Sequence, residues 1–145
     1  MKGFSVTFPS DPALWAHVRL MLKGLLEMLM IPPRDTNLIT LGVDEAFTNI
    51  MQHAYEGTHE GRIDLSIDYR DNRLFVELRD YGKRVPRDEI RSRDLDDIRP
   101  GGLGVHIIHS VFDSVEYDCS CPAGTILRLE KDLTKPVLGE SRPVG

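Results

Sequence analysis

Two alternating runs constrain this chain most. Ile63, Leu65, Ile67 and Tyr69 alternate with Arg62, Asp64, Ser66 and Asp68, and Leu74, Val76 and Leu78 alternate with Arg73, Phe75, Glu77 and Arg79. Side chains two apart share one face of a strand, so each run has an apolar side and a polar side. Only Arg70, Asp71 and Asn72 separate the runs, too few residues for a parallel crossover, and the pair is predicted to be an antiparallel hairpin. Its apolar face must then be covered by something else.

The cover is legible as helices. Ser10 or Asp11 can cap a helix that opens with Pro12 and continues to Met30, rich in Leu and Met. Pro32 and Pro33 are expected to stop it, and Asp35 or Thr36 to cap a second helix running to about Gly57. In that second helix Ile39, Val43, Ala46, Phe47, Ile50, Met51 and Ala54 mark a core face. Glu45, Asn49 and His53 follow one another at four-residue spacing on another stripe. From Asn37 to Tyr55 there is no Lys or Arg, so this stripe lacks the alternating charges of an ordinary solvated face and suits a lined pocket.

Phe4, Val6 and Phe8 predict a short first strand, and Val115, Tyr117, Cys119 and Cys121 a strand that Pro122, Ala123 and Gly124 turn back into Thr125, Leu127 and Leu129. Between the hairpin and these strands lie Lys83 to Pro100, with six basic and five acidic residues and no apolar periodicity, expected as a lid. Gly101, Gly102, Leu103 and Gly104 then form a turn opening a helix of Val105, Ile107, Ile108, Val111 and Phe112. Backbone amides at such a turn can approach a phosphate closely.

Composition excludes several classes. At 145 residues the chain is expected to be one domain, residues 1–133, with a flexible tail over 134–145. The net charge of −5 argues against a nucleic-acid partner, which requires a basic footprint. The longest apolar stretch, Leu20 to Ile31, is broken by Lys23, Gly24 and Glu27, so no membrane span is expected. No export signal opens the chain. Cys119 and Cys121 read as buried apolar positions in a reducing cytoplasm.

The order of three motifs carries a resemblance. EAFTNIMQHAY, then DYG at the end of a strand, then GGLG opening a helix, resemble the N, G1 and G2 boxes of the GHKL superfamily of ATP-binding domains, over roughly Leu38 to Leu129. Within it the chain is most similar to the anti-sigma-factor serine/threonine kinases. That resemblance implies the Bergerat ATP-binding fold, an α/β two-layer sandwich whose mixed, largely antiparallel sheet carries helices on one face. It implies ATP and Mg2+, with Asn49 as metal ligand and Glu45 as general base toward a Ser or Thr hydroxyl. Asp80 matches the acceptor for the adenine amino group, Gly82 the close approach to the base, Gly102, Leu103 and Gly104 the phosphate cradle, and Thr125 a support of the adenine site. Arg84 and Arg87 could neutralise charge on a transferring phosphoryl group.

The implied function is an anti-sigma factor that binds a sigma factor, phosphorylates an anti-anti-sigma (STAS-type) partner and forms a homodimer in the cytoplasm. The alternative is a nucleotide-gated binding module without productive kinase activity. One departure bears on the lid: where many members of the superfamily have a second G1-box glycine, this chain has Arg84, whose long cationic side chain is expected to stiffen or reshape the start of the lid.

Overall fold

The computed structural model describes residues 3–84 and 100–137, with the side chains of its last helix described from His106 onward. Five strands form one sheet in the order β1-β2-β3-β5-β4, where β1 is Phe4–Pro9, β2 Arg62–Arg70, β3 Arg73–Asp80, β4 Ser114–Asp118 and β5 Thr125–Asp132. All four pairings are antiparallel, so the parallel component allowed by the sequence reading is absent from this sheet. The helices α1 (Pro12–Met28), α2 (Pro33–Asn49) and α3 (Pro100–Val111) cover one face. This is the expected α/β two-layer sandwich.

The hairpin forms as its pattern requires. Ile63, Leu65 and Ile67 pair in register with Asp80, Leu78 and Val76, and all six side chains are buried. Asp71 and Asn72 both take positive φ, +53° and +58°, the pair of left-handed residues that a two-residue hairpin turn of matching twist needs. The opposite face carries Asp64, Asp68, Glu77, Arg79, Arg128 and Glu116 and is tied by ion pairs such as Arg128 to Asp118 at 2.8 Å.

Against the apolar face, α1 buries Trp15, Val18, Leu22 and Leu26, and α2 buries Ile39, Val43, Ala46 and Phe47. Trp15 stacks on Phe47 with centroids 4.6 Å apart and planes 8° apart, and Phe8 closes the aromatic group from the sheet. Gly42 lets α3 come close, since a Cβ there would meet the Phe112 ring at 2.9 Å.

Several boundaries differ from expectation. Asp11 caps α1 by accepting from the Ala13 amide, while Ser10 is buried and donates to the Thr58 carbonyl. Pro33 begins α2 rather than merely ending α1, because the first turn of a helix needs no amide hydrogen from that residue. The second helix changes character after Asn49: Ile50–Ala54 is a π-helical turn, with the Tyr55 amide bonded to the Ile50 carbonyl five residues back.

β4 stops at Asp118, whose carboxylate folds onto Ser120 through its amide and hydroxyl. Cys119 and Cys121 therefore lie in the β4–β5 loop, exposed and half-buried respectively, and not in the core. Residues 134–137, expected as the start of a tail, are held against the fold. Val137 is fully buried, its amide donates to Asp35 Oδ1 at 3.3 Å and its carbonyl accepts from Arg34 at 3.0 Å. Residues 138–145 lie outside the described residues.

Val137 anchors the chain after β5 to the start of α2. Val137→Ala removes about two buried carbon groups and is expected to lower unfolding free energy by about 1–2 kcal/mol in urea titration. An unchanged midpoint would show that the segment contributes nothing to the fold.

Candidate nucleotide site

The site forms where the end of the second helix meets the end of β3. Lys83 donates its amide to the Ala54 carbonyl at 2.8 Å, and Tyr81 donates its amide to the Tyr55 hydroxyl at 2.7 Å. Tyr55 in turn donates to the Arg62 carbonyl, so its ring spans from the π turn to the start of β2. Gly82 is required here: a Cβ would stand 2.4 Å from the Ala54 oxygen. The N-box helix and the DYG segment are thus stitched together by one backbone pair and by the Tyr55 hydroxyl.

Asp80 is the last residue of β3, points to the helix side of the sheet and is only 4% exposed. Burial pushes its carboxyl above the ordinary range, opposed by hydrogen bonds from the backbone N–H groups of Gly82 and Thr125. Gly82 reaches Oδ1 at 3.0 Å. A buried carboxylate held this way is oriented by the backbone on one side and has acceptor capacity left for a donor on a ligand.

Glu45 and Asn49 lie one helical turn apart on α2, both half-buried. Among the described residues neither side chain has a hydrogen-bond partner. Burial first, and the neighbouring Asp44 charge second, raise the Glu45 carboxyl above its ordinary value, which suits a proton acceptor. Asp44 itself turns away, accepting from Trp15 Nε1 at 2.5 Å and from Arg19 at 3.2 Å. His53 follows Asn49 within the π turn and is half-buried, as Glu45 and Asn49 are.

The described residues contain no cluster of three His, Cys, Asp or Glu that could cage a metal. The donor set fits Mg2+ nonetheless, because that ion keeps several waters and takes one or two protein oxygens beside substrate phosphates. Asn49 offers one such hard oxygen, half-buried and unpartnered.

Gly102, Leu103 and Gly104 fall inside α3, which starts at Pro100, where the sequence reading expects a turn before the helix. With the helix starting at Pro100, Gly101 and Gly102 keep amides without intrahelical partners in the first turn, whereas those of Leu103 and Gly104 are taken up by the helix itself. Thr125 opens β5 directly opposite Asp80, half-buried, with Oγ1 3.7 Å from Cys119 Sγ. Arg87 and the rest of the expected lid from residue 85 to 99 lie outside the described residues. Arg84 is described, and its guanidinium is turned to the β4–β5 loop, donating to the carbonyls of Gly124 and Cys121.

Sequence reasoning missed Tyr55 and Gly124. Gly124 has φ +76°, and a Cβ on it would lie 2.0 Å from the Asp80 oxygen, so it lets β5 enter against the site. Its only sequence signal is a Gly after Pro122 and Ala123, which reads as an ordinary turn.

Similarity to known proteins agrees with this geometry. The chain is 28% identical over 142 residues to a serine-protein kinase RsbW of Halalkalibacterium halodurans, covering 92% of this chain and 85% of that protein. It is 33% identical over 97 residues to an anti-sigma F factor of Bacillus subtilis, covering 64% of this chain and 66% of that protein. Among solved structures it resembles the histidine kinase domain of a blue-light activated histidine kinase from Erythrobacter litoralis, at 26% identity and a TM-score of 0.50 over 71% of this chain. It spans 46% of the length of that kinase domain. The model of the histidine kinase-like ATPase domain matches residues 8–131, nearly the whole sheet and all three helices, and the chain belongs to that family.

Proposed function

We propose that this chain is an ATP-dependent serine/threonine protein kinase that acts as an anti-sigma factor and phosphorylates an anti-anti-sigma (STAS-type) partner. The observation that carries the reading is the pair Glu45 and Asn49, half-buried and unpartnered among the described residues, on the helix whose end is stitched to the buried Asp80. A polar pair left open in this way is what a ligand and a reacting hydroxyl would complete. The names of the relatives, serine-protein kinase and anti-sigma factor, support the class of activity.

In this reading Asp80 accepts from the adenine amino group, Gly82 admits the base, Thr125 supports it, and the first-turn amides of Gly101 and Gly102 hold the phosphates. Asn49 would ligate Mg2+, which when bound neutralises charge on the phosphate oxygens. Glu45 accepts the proton of the partner's Ser or Thr hydroxyl as that oxygen attacks the terminal phosphoryl group. The leaving diphosphate stays on the helix α3 end. On this reading the protein acts in the cytoplasm, where ATP and sigma factors are; no helix among the described residues is long and apolar enough to cross a membrane.

A homodimer is part of the proposal. The side of α1 facing away from the sheet carries Leu20 and Met28, 66% and 63% exposed, with Gly24 between them and open space around it. A second copy would bury this apolar stripe, which the exposed Lys23 and Glu27 flank. Met28→Glu is expected to turn a dimer into a monomer in sedimentation, whereas a dimer that persists would locate the contact elsewhere.

Two kinetic tests follow from Glu45. Glu45→Gln is expected to keep Mg·ATP binding within a few-fold and to lower transfer from γ-labelled ATP to the partner by ~10²–10⁴. Intact transfer would remove Glu45 as base. Transfer absent from wild type as well, with nucleotide-dependent partner binding, would establish the nucleotide-gated module instead.

The second test is pH. Transfer requires the Glu45 carboxylate, so its rate falls as pH drops through a carboxyl value held above the ordinary range. Asp44→Asn removes a neighbouring negative charge, stabilises that carboxylate and should move the acid limb to lower pH. An acid limb that stays in place would show that Asp44 does not act on the base.

A further inference from the structure

Three consecutive amides at the end of β3 are each held by a different acceptor. The Tyr81 N–H donates to the Tyr55 hydroxyl at 2.7 Å, the Gly82 N–H to Asp80 Oδ1 at 3.0 Å, and the Lys83 N–H to the Ala54 carbonyl at 2.8 Å. The middle bond holds the Asp80 carboxylate, and the outer two hold the peptides on either side of it. The first of the three belongs to the peptide that leaves Asp80 itself. Its acceptor is a side chain, so it can be removed without altering the backbone.

The Tyr55 hydroxyl has little freedom. It donates its own proton to the Arg62 carbonyl, which leaves a lone pair for the Tyr81 amide. Its ring is wedged between two glycines: a Cβ on Gly61 would stand 2.5 Å from three ring atoms, and one on Gly82 would stand 2.9 Å from a fourth contact on the same ring. Gly61 is tied in turn to the fully buried Ser10, donating its amide to the Ser10 hydroxyl at 3.0 Å and accepting the Ser10 amide on its carbonyl at 2.7 Å. A side chain locked by packing and by a second hydrogen bond holds its partner in one place.

We propose that Tyr55 is a positioning residue for base recognition: its hydroxyl holds the Asp80–Tyr81 peptide so that the Gly82 amide meets the Asp80 carboxylate and keeps it turned to an exocyclic amino group. This rests on the reading of Asp80 as the base-contacting residue. A carboxylate kept in one direction accepts from a 6-amino purine, whereas a 6-oxo purine presents a lone pair where a donor is needed. Without the hydroxyl the Tyr81 N–H and the Arg62 carbonyl each lose a partner and the peptide turns toward water. The carboxylate then gains the freedom to reach the N1–H of the 6-oxo base. Tyr55 therefore governs the preference between two bases as well as the affinity for one.

The test is calorimetric titration of the full chain with Mg·ATP and with Mg·ITP, whose base carries a 6-oxo group, well below the melting temperature so that only folded protein is titrated. Tyr55→Phe keeps the wedged ring and removes the hydroxyl; Gly61→Ala keeps the hydroxyl and drives a Cβ into the ring. Both are expected to weaken Mg·ATP binding and to lower the ATP-over-ITP preference, Y55F by about tenfold. Tyr69→Phe removes a tyrosine hydroxyl at the far end of the hairpin and is expected to change neither. Wild-type affinity and preference in Y55F, or equal weakening of both nucleotides, overturns the proposal. Asp80→Asn separates the two readings: if it leaves ATP binding and preference untouched, the base site itself is misassigned. If it impairs them while Y55F does not, only the role of Tyr55 fails.

Discussion

The contact between the π turn and the end of β3 is the one on which the site depends. The Ala54 carbonyl accepts from the Lys83 amide, the Tyr55 hydroxyl oxygen accepts from the Tyr81 amide, and Gly82 fits between them with no space for a side chain. A regular α-helix would spend the Ala54 carbonyl on its own next turn. The chain leaves the helix at Tyr55, so that carbonyl is free for the strand. The helix carrying Glu45 and Asn49 is fixed against the end of the strand carrying Asp80 by one backbone–backbone bond and by the Tyr55 side chain.

A second constraint comes from the first helix. Trp15 and Arg19 both bind Asp44, and Trp15 stacks on Phe47 one turn further along α2. This clamp turns Asp44 toward α1 and leaves Glu45 on the adjoining face, close enough in chain for the Asp44 charge to raise its carboxyl. The apolar core and the chemistry of the candidate base are coupled through one residue. The cost is an indole nitrogen and a guanidinium committed to a single carboxylate, which the packing of the aromatic group offsets.

Much of this was legible because it is local. Period-two runs gave the hairpin, and the helical spacing of Ile39, Val43, Ala46 and Phe47 gave the core face of α2, since both depend only on which side a residue points. The order of the N, G1 and G2 boxes was legible for the same reason, as was membership of an ATPase family. What failed was where elements stop. Cys119 and Cys121 continue an alternating pattern, yet Asp118 ends the strand by bonding Ser120, a choice invisible to periodicity. Val137 follows a proline in a polar segment and still buries completely, because the start of α2 presents Arg34 and Asp35 to its backbone.

The sequence by itself determined the layers, the pairing of β2 with β3, the polar stripe of α2 and the chemical types available at the site. Only the tertiary structure decided that the helix turns from α to π after Asn49, that Gly124 rests on Asp80, and that Arg84 answers the loop instead of solvent. The physical reason is separation along the chain. Arg84 and Gly124 are forty residues apart, and no pattern within one element records which backbone carbonyl a distant guanidinium will find.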